Sequence, residues 1–83
     1  MFNISLEKRL PRRNMFRFYR LSILPNLFGE WTLAREWGRI GTRGRSRLDW
    51  FRTQSEAEQA MLELKTFKTR RGYLTKPEQL SLF

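Results

Sequence analysis

Apolar and polar residues alternate strictly at the start of the chain, with Phe2, Ile4 and Leu6 interleaved with Asn3, Ser5 and Glu7. A period of two puts each set on its own side of an extended segment, so this stretch predicts a half-buried strand. The pattern returns from Phe16 to Leu24, where Tyr19, Leu21 and Ile23 share one face and Phe18, Arg20 and Ser22 the other. Pro11 to Asn14, between the two, predicts a basic turn. Pro25 to Gly29 predicts a loop, and Trp31 to Trp37 a third strand with Trp31 and Leu33 on its apolar face. Glycine punctuates the stretch from Gly38 to Gly44, which predicts a hairpin-like connection into a fourth strand, Arg45 to Phe51. That strand sends Leu48 and Trp50 one way and Arg45, Arg47 and Asp49 the other. Trp31 and Trp50 are assigned to the core.

The period then changes. Ala57, Ala60, Met61, Leu64 and Phe67 recur at helical spacing. Ser55 and Glu58 have the spacing of a capping box at the helix start. Glu56 and Glu58 in the first turn, and Lys68, Arg70 and Arg71 in the last, match the helix dipole. Gly72 supplies the C-terminal cap. The expected fold is therefore α+β: an antiparallel sheet of about four strands with one α-helix packed on one face. Residues 1–74 form the domain, and residues 75–83 form a tail in which Pro77 opposes helix continuation.

At 83 residues the chain supports one small domain. It has no cysteine and no histidine, which removes disulfides, thiolate ligands and the commonest general base. No apolar run approaches the roughly 20 residues that span a membrane, and the first segment lacks the pattern of a signal peptide. A cytoplasmic, nucleoid-associated protein is expected, without membrane contact. Charge changes the picture most: 17 basic residues against 8 acidic give a net +9, and 13 of the 17 are arginine. Arginine forks match phosphate in a bidentate way, so a polyanion is the expected partner.

The basic residues concentrate around Trp37-Gly38-Arg39-Ile40-Gly41-Thr42 and the following Arg43-Gly44-Arg45-Ser46-Arg47. Glycines let a ligand approach the backbone, Trp37 offers a flat face, and Arg45 and Arg47 share one side of a strand from which to follow phosphates. Nothing resembles a recognition helix or a zinc-finger spacing, so base reading is not indicated. The pattern alone leaves Trp37 between core and surface, since it lies in register with Trp31 and Leu33 while Arg35 occupies the same face. For Arg39 the structural alternative is an ion pair with Glu36.

Arg35 to Thr42, preceded by the strand Phe18 to Ile23, resembles the signature of the WGR domain, known from DNA-dependent poly(ADP-ribose) polymerases and from bacterial proteins. The resemblance spans about residues 2 to 73 and suggests a stand-alone bacterial WGR protein. It implies that Trp37 packs on a terminal sugar and Arg39 helps hold a DNA end, nick or gap. It also places the helix C-terminus near the nucleic acid, making Lys68 and Arg71 weaker supports. The expected nucleic-acid-binding set is thus Trp37, Gly38, Arg39, Arg43, Arg45, Arg47, Lys68 and Arg71. Arginine forks and an aromatic face serve RNA as well as DNA.

The tail Gln79-Leu80-Ser81-Leu82-Phe83 resembles the pentapeptide by which bacterial replication and repair proteins dock on the sliding clamp. That resemblance implies a polar subsite for the glutamine and a deeper apolar pocket for the leucine-phenylalanine end. The structural alternative is that Leu80, Leu82 and Phe83 fold back on the core. The eight carboxylates show no paired or metal-ligating spacing, so neither an enzyme nor a cofactor is expected. The expectation is a binding module for DNA repair or replication, tethered to the clamp. The alternative is an adaptor or inhibitor acting on the clamp or another acidic partner without DNA.

Overall fold

A computed structural model of the chain describes residues 2–75. The strands are β1 (Phe2–Leu10), β2 (Met15–Pro25), β3 (Trp31–Arg39), β4 (Arg45–Phe51) and β5 (Leu74–Thr75), with one helix, α1 (Gln54–Arg70), between the last two. They form one antiparallel sheet in the order β4-β3-β2-β1-β5. The fold is α+β, as the pattern predicts, with five strands rather than about four. The extra strand is only two residues long, too short to carry any periodicity.

Register explains which face holds the core. Leu6 pairs with Tyr19, and Tyr19 with Trp37; Ile4 pairs with Leu21, and Ile23 with Leu33. These side chains line the face covered by α1, where Leu6, Leu21, Ile23 and Leu33 are buried with Ala57 and Met61 of the helix. Burying one such aliphatic side chain contributes about 1.5–3 kcal/mol. Trp31, Trp37, Phe51, Ala60 and Leu64 pack around this cluster while remaining partly exposed. Phe67, expected on the buried stripe, is half-exposed because the stripe of Ala57, Met61 and Leu64 continues to Lys68, which takes the place over Tyr19 and Tyr73.

Among the described residues no helix lies over the other sheet face. Leu48 and Trp50 lie there, 52% and 62% exposed, so the assignment of Trp50 to the core is corrected. Alternation says which residues share a side, not which side is covered. Phe18 is the exception on this face. It is buried because the chain folds the backbones of Gly38 and Gly44 against its ring.

The helix begins two residues earlier than the Ser55–Glu58 pattern implies. Thr53 is the N-cap: its Oγ1 accepts from Glu56 N at 3.1 Å, and Glu56 Oε1 accepts from Thr53 N at 3.3 Å. The C-terminal end follows the expectation. Gly72 takes φ +97°, its N–H donates to Thr69 O, and Tyr73 N–H donates to Lys68 O. That is a Schellman closure, and it turns Tyr73 back under the sheet face.

Candidate nucleic-acid interface

The β1–β2 turn, the β3–β4 hairpin and the C-terminus of α1 meet at one end of the sheet. The link between the two turns is direct. Arg39 donates from Nη1 to Asn14 O (3.1 Å) and from Nη2 to Asn14 Oδ1 (3.2 Å), while Ile40 N–H donates to Phe16 O at 2.9 Å. Asn14 sits at φ 51°, a left-handed position that asparagine tolerates. The Arg39–Glu36 ion pair, the structural alternative for this arginine, is not formed. Glu36 instead holds Arg20 at 3.1 Å, because residues 36 and 39 leave opposite faces of β3 while Arg20 is directly across from Glu36. Arg39 is exposed and spends two of its five N–H donors on Asn14, leaving the rest for a ligand.

The hairpin is tight where the motif places its glycines. A Cβ on Gly38 would come within 2.7 Å of Gly44 Cα, and one on Gly44 would collide with the carbonyl oxygen of Trp37. Both glycines therefore let β3 and β4 close over Phe18. This fixes the backbone on either side of Trp37. The tryptophan ring packs 6.0 Å from the ring of Tyr19, leaving part of its surface exposed.

Beside that ring lies a recess of about 370 Å³ lined by Arg17, Trp37, Gly38, Arg39, Lys68 and Tyr73. Lys68 reaches in from α1, its Nζ 4.5 Å from the centre of the Tyr19 ring and 5.4 Å from that of Tyr73. Burial first, then the charges of Arg71, Arg17, Arg35 and Lys8, hold the Lys68 ammonium below lysine's ordinary 10.5. Among the described residues the ion pairs are Arg9–Glu7, Arg20–Glu36, Arg35–Asp49 and Arg47–Asp49. Arg17, Arg39, Lys68 and Arg71 are in none of these four pairs. Among the described residues that line it, the recess is aromatic-walled and positively charged with no carboxylate, a setting that favours an anion.

The structure thus brings together four of the residues named from sequence, Trp37, Gly38, Arg39 and Lys68, and sets Arg71 next to them over the ring of Phe67 at 4.4 Å. Arg43 and Arg45 are exposed on the hairpin and on β4, with Arg45 directly across from Trp37. Arg47 stands apart, drawn by Asp49 at 3.1 Å. Asp49 also holds the half-buried Arg35 at 3.0 Å, which explains how an arginine fits on the core side of β3. Gln79, Leu80, Ser81, Leu82 and Phe83 lie outside the described residues.

Sequence reasoning missed Arg17 and noted Tyr73 only as the residue that follows the basic helix end. The alternation of β2 does put Arg17 on the face of Tyr19 and Leu21, but only the pairing Arg17↔Arg39 places it beside the motif. Among the described residues no group of three carboxylates, histidines or cysteines is arranged to hold a metal ion, and no helix is long and apolar enough to cross a membrane.

Comparison with known proteins agrees with this architecture. The chain is 42% identical over 76 residues to the uncharacterized protein y4dW of Sinorhizobium fredii, matching 92% of this chain and 37% of that protein. It therefore spans little more than a third of that relative's length. A crystal structure of a Bacteroides fragilis protein superposes with a TM-score of 0.77 at 20% identity, over 95% of this chain and 20% of the other, and shows the same fold. The family model of the WGR domain matches residues 2–79. The chain belongs to the WGR domain family.

Proposed function

We propose that this chain is a non-catalytic DNA-binding module that holds DNA ends, nicks or gaps in the recess beside Trp37. Nucleic-acid binding is the kind of function its family performs. The observation that carries the finer reading is the recess itself, where Arg17, Arg39 and Lys68 converge around a fixed, partly exposed indole, with no carboxylate among the described residues that line it. A sugar-phosphate terminus has the matching parts: an anionic group for Arg17, Arg39 and Lys68, and a sugar face to lie on Trp37. A continuous duplex offers the same phosphates but no free terminal sugar. Arg43 and Arg45 extend the positive surface along the hairpin, where contacts position the backbone without reading sequence. Had Trp37 and Arg39 been wholly buried, an adaptor without a DNA role would have been favoured; neither is.

The tail is assigned by the same proposal to the replicative sliding clamp. A short peptide with a few large anchors binds weakly alone, and joining it to a DNA contact raises overall affinity through effective concentration.

The test is fluorescence anisotropy on a nicked duplex and an intact circular duplex across a salt series, for wild type and Trp37→Ala. The expected result is tighter binding to the nick, lost with the indole, above a salt-labile background common to both DNAs. Equal binding to both DNAs by wild type would sink the end-binding reading. Deleting residues 79–83 should abolish clamp binding while leaving DNA affinity unchanged, and clamp binding by the truncated chain would overturn the tail assignment.

A further inference from the structure

The end of the sheet opposite the recess exposes large apolar side chains, and nothing in the DNA reading uses them. In the β2–β3 loop, Leu27 and Phe28 are 97% and 85% exposed. The loop is nonetheless firmly built. Asn26 Oδ1 accepts from Phe28 N (2.8 Å) and Glu30 N (3.0 Å), and Asn26 N–H donates to Glu30 O (2.9 Å). Two large side chains are therefore presented to solvent on a pre-ordered tip, so little entropy remains to be lost when they dock.

The same end carries a receptor for such a tip. A groove of about 680 Å³ opens between the end of β4 and the first turns of α1, lined by Trp50, Phe51 and Ala60 together with Gln59 and the charged Arg52, Glu56 and Glu63. Its position is fixed by register: the loop leads into Trp31, and Trp31 pairs with Phe51. Knob and groove thus lie side by side on one chain. This is the arrangement a two-fold axis can use twice, each copy inserting its tip into the other.

We propose that this end is a self-association surface, with the Leu27–Phe28 tip of one copy seated in the β4–α1 groove of a second copy. Charge favours this occupant. Two chains of net +9 repel, yet the cations of the recess, the hairpin and the helix C-terminus lie at the far end, while this end carries Glu30 in the loop and Arg52, Glu56 and Glu63 at the groove, so carboxylates outnumber cations there. Area is sufficient as well. Free large apolar side chains present on the order of 150–250 Å² each. At the exposures of Leu27, Phe28 and Trp50 this gives roughly 500 Å² per copy, and about 1,000 Å² in all reaches the lower bound of a specific interface. A wedge between DNA bases is disfavoured, because such wedges work beside cations on the phosphates. In the symmetric pair the two basic ends face outward.

Sedimentation velocity of the full chain without DNA tests the contact. Wild type should show a monomer–dimer equilibrium that shifts with concentration. Leu27→Ser/Phe28→Ser, which alters only exposed side chains, should be monomeric at every concentration with an unchanged melting temperature. Because the chain has no cysteine, Phe28→Cys/Gln59→Cys gives an independent readout: oxidation should link two chains covalently. A wild type that stays monomeric throughout overturns the proposal and leaves the tip to an unlike partner. A dimer that survives the double serine variant and gives no cross-link overturns it too, since the contact then lies elsewhere.

Discussion

Replacing Gly44 by alanine should destabilise the protein far more than the same change at Gly41, although both glycines lie in one hairpin at positive φ. At Gly41 (φ +93°) an added Cβ meets nothing within 4 Å. Its cost is the backbone term alone, about 1–2 kcal/mol for a left-handed L-residue, partly offset by the lower entropy of the unfolded chain. A net loss of about 1 kcal/mol follows. At Gly44 (φ +71°) the same backbone term is joined by collision with the Trp37 carbonyl, its carbon 2.9 Å and the Phe18 Cζ 3.0 Å from the new methyl. One neighbour is backbone and the other a buried ring, so neither gives way cheaply, and overpacking of this kind costs a further 1–3 kcal/mol or so. The total is about 3 kcal/mol. For a domain of this size each kcal/mol moves the midpoint by roughly 4–8 °C, so Gly44→Ala should melt roughly 12–24 °C below wild type and Gly41→Ala roughly 4–8 °C below. Circular dichroism melts of the three proteins in one buffer decide the matter. Equal falls for the two variants would refute the steric argument and, with it, the claim that Gly44 fixes the backbone beside Trp37.

Other consequences follow from the site and the helix. Thr53→Ala should cost about 1 kcal/mol through loss of the cap, and Ser55→Ala almost nothing, measured by urea denaturation; the reverse order would restore the Ser55–Glu58 box. Arg17→Ala should lower the slope of log affinity against log salt by about one for a nicked duplex, and an unchanged slope would remove Arg17 from the phosphate contacts. Lys68 carries a pH signature. Its folded-state pKa lies below the ordinary 10.5, so the folded state releases this proton first, and the gain in stability comes as pH rises from that lowered value towards 10.5. Melting temperature followed from neutral pH upward should therefore rise in wild type relative to Lys68→Met; parallel curves would contradict the cation cluster.

Strands and helix were legible because their periods differ: Tyr19, Leu21 and Ile23 could belong only to a strand face, and Ala57, Met61 and Leu64 only to a helix stripe. The errors have identifiable causes. Thr53-x-x-Glu56 and Ser55-x-x-Glu58 both satisfy the capping pattern, and the choice depends on where β4 releases the chain. Trp50 looked like core because alternation cannot say that the single helix covers the opposite face. The two-residue β5 carries no local signal. At the site, Trp37, Gly38 and Arg39 stand out as a contiguous motif. Arg17 is brought there by long-range strand pairing, which leaves no local mark in the sequence; the turn at Gly72 was legible, but not that it would set Tyr73 against Tyr19.

The central claim is that the recess beside Trp37 receives a break in DNA, and the signals of the three tryptophan indole N–H groups test it most directly. In nitrogen–proton correlation spectra of the labelled protein, adding a nicked DNA hairpin should shift the Trp37 indole together with the Gly38, Arg39 and Gly44 amides. Trp50, on the uncovered sheet face, should stay where it is. Shifts confined to Trp50 and its neighbours, with Trp37 unmoved, would contradict the account.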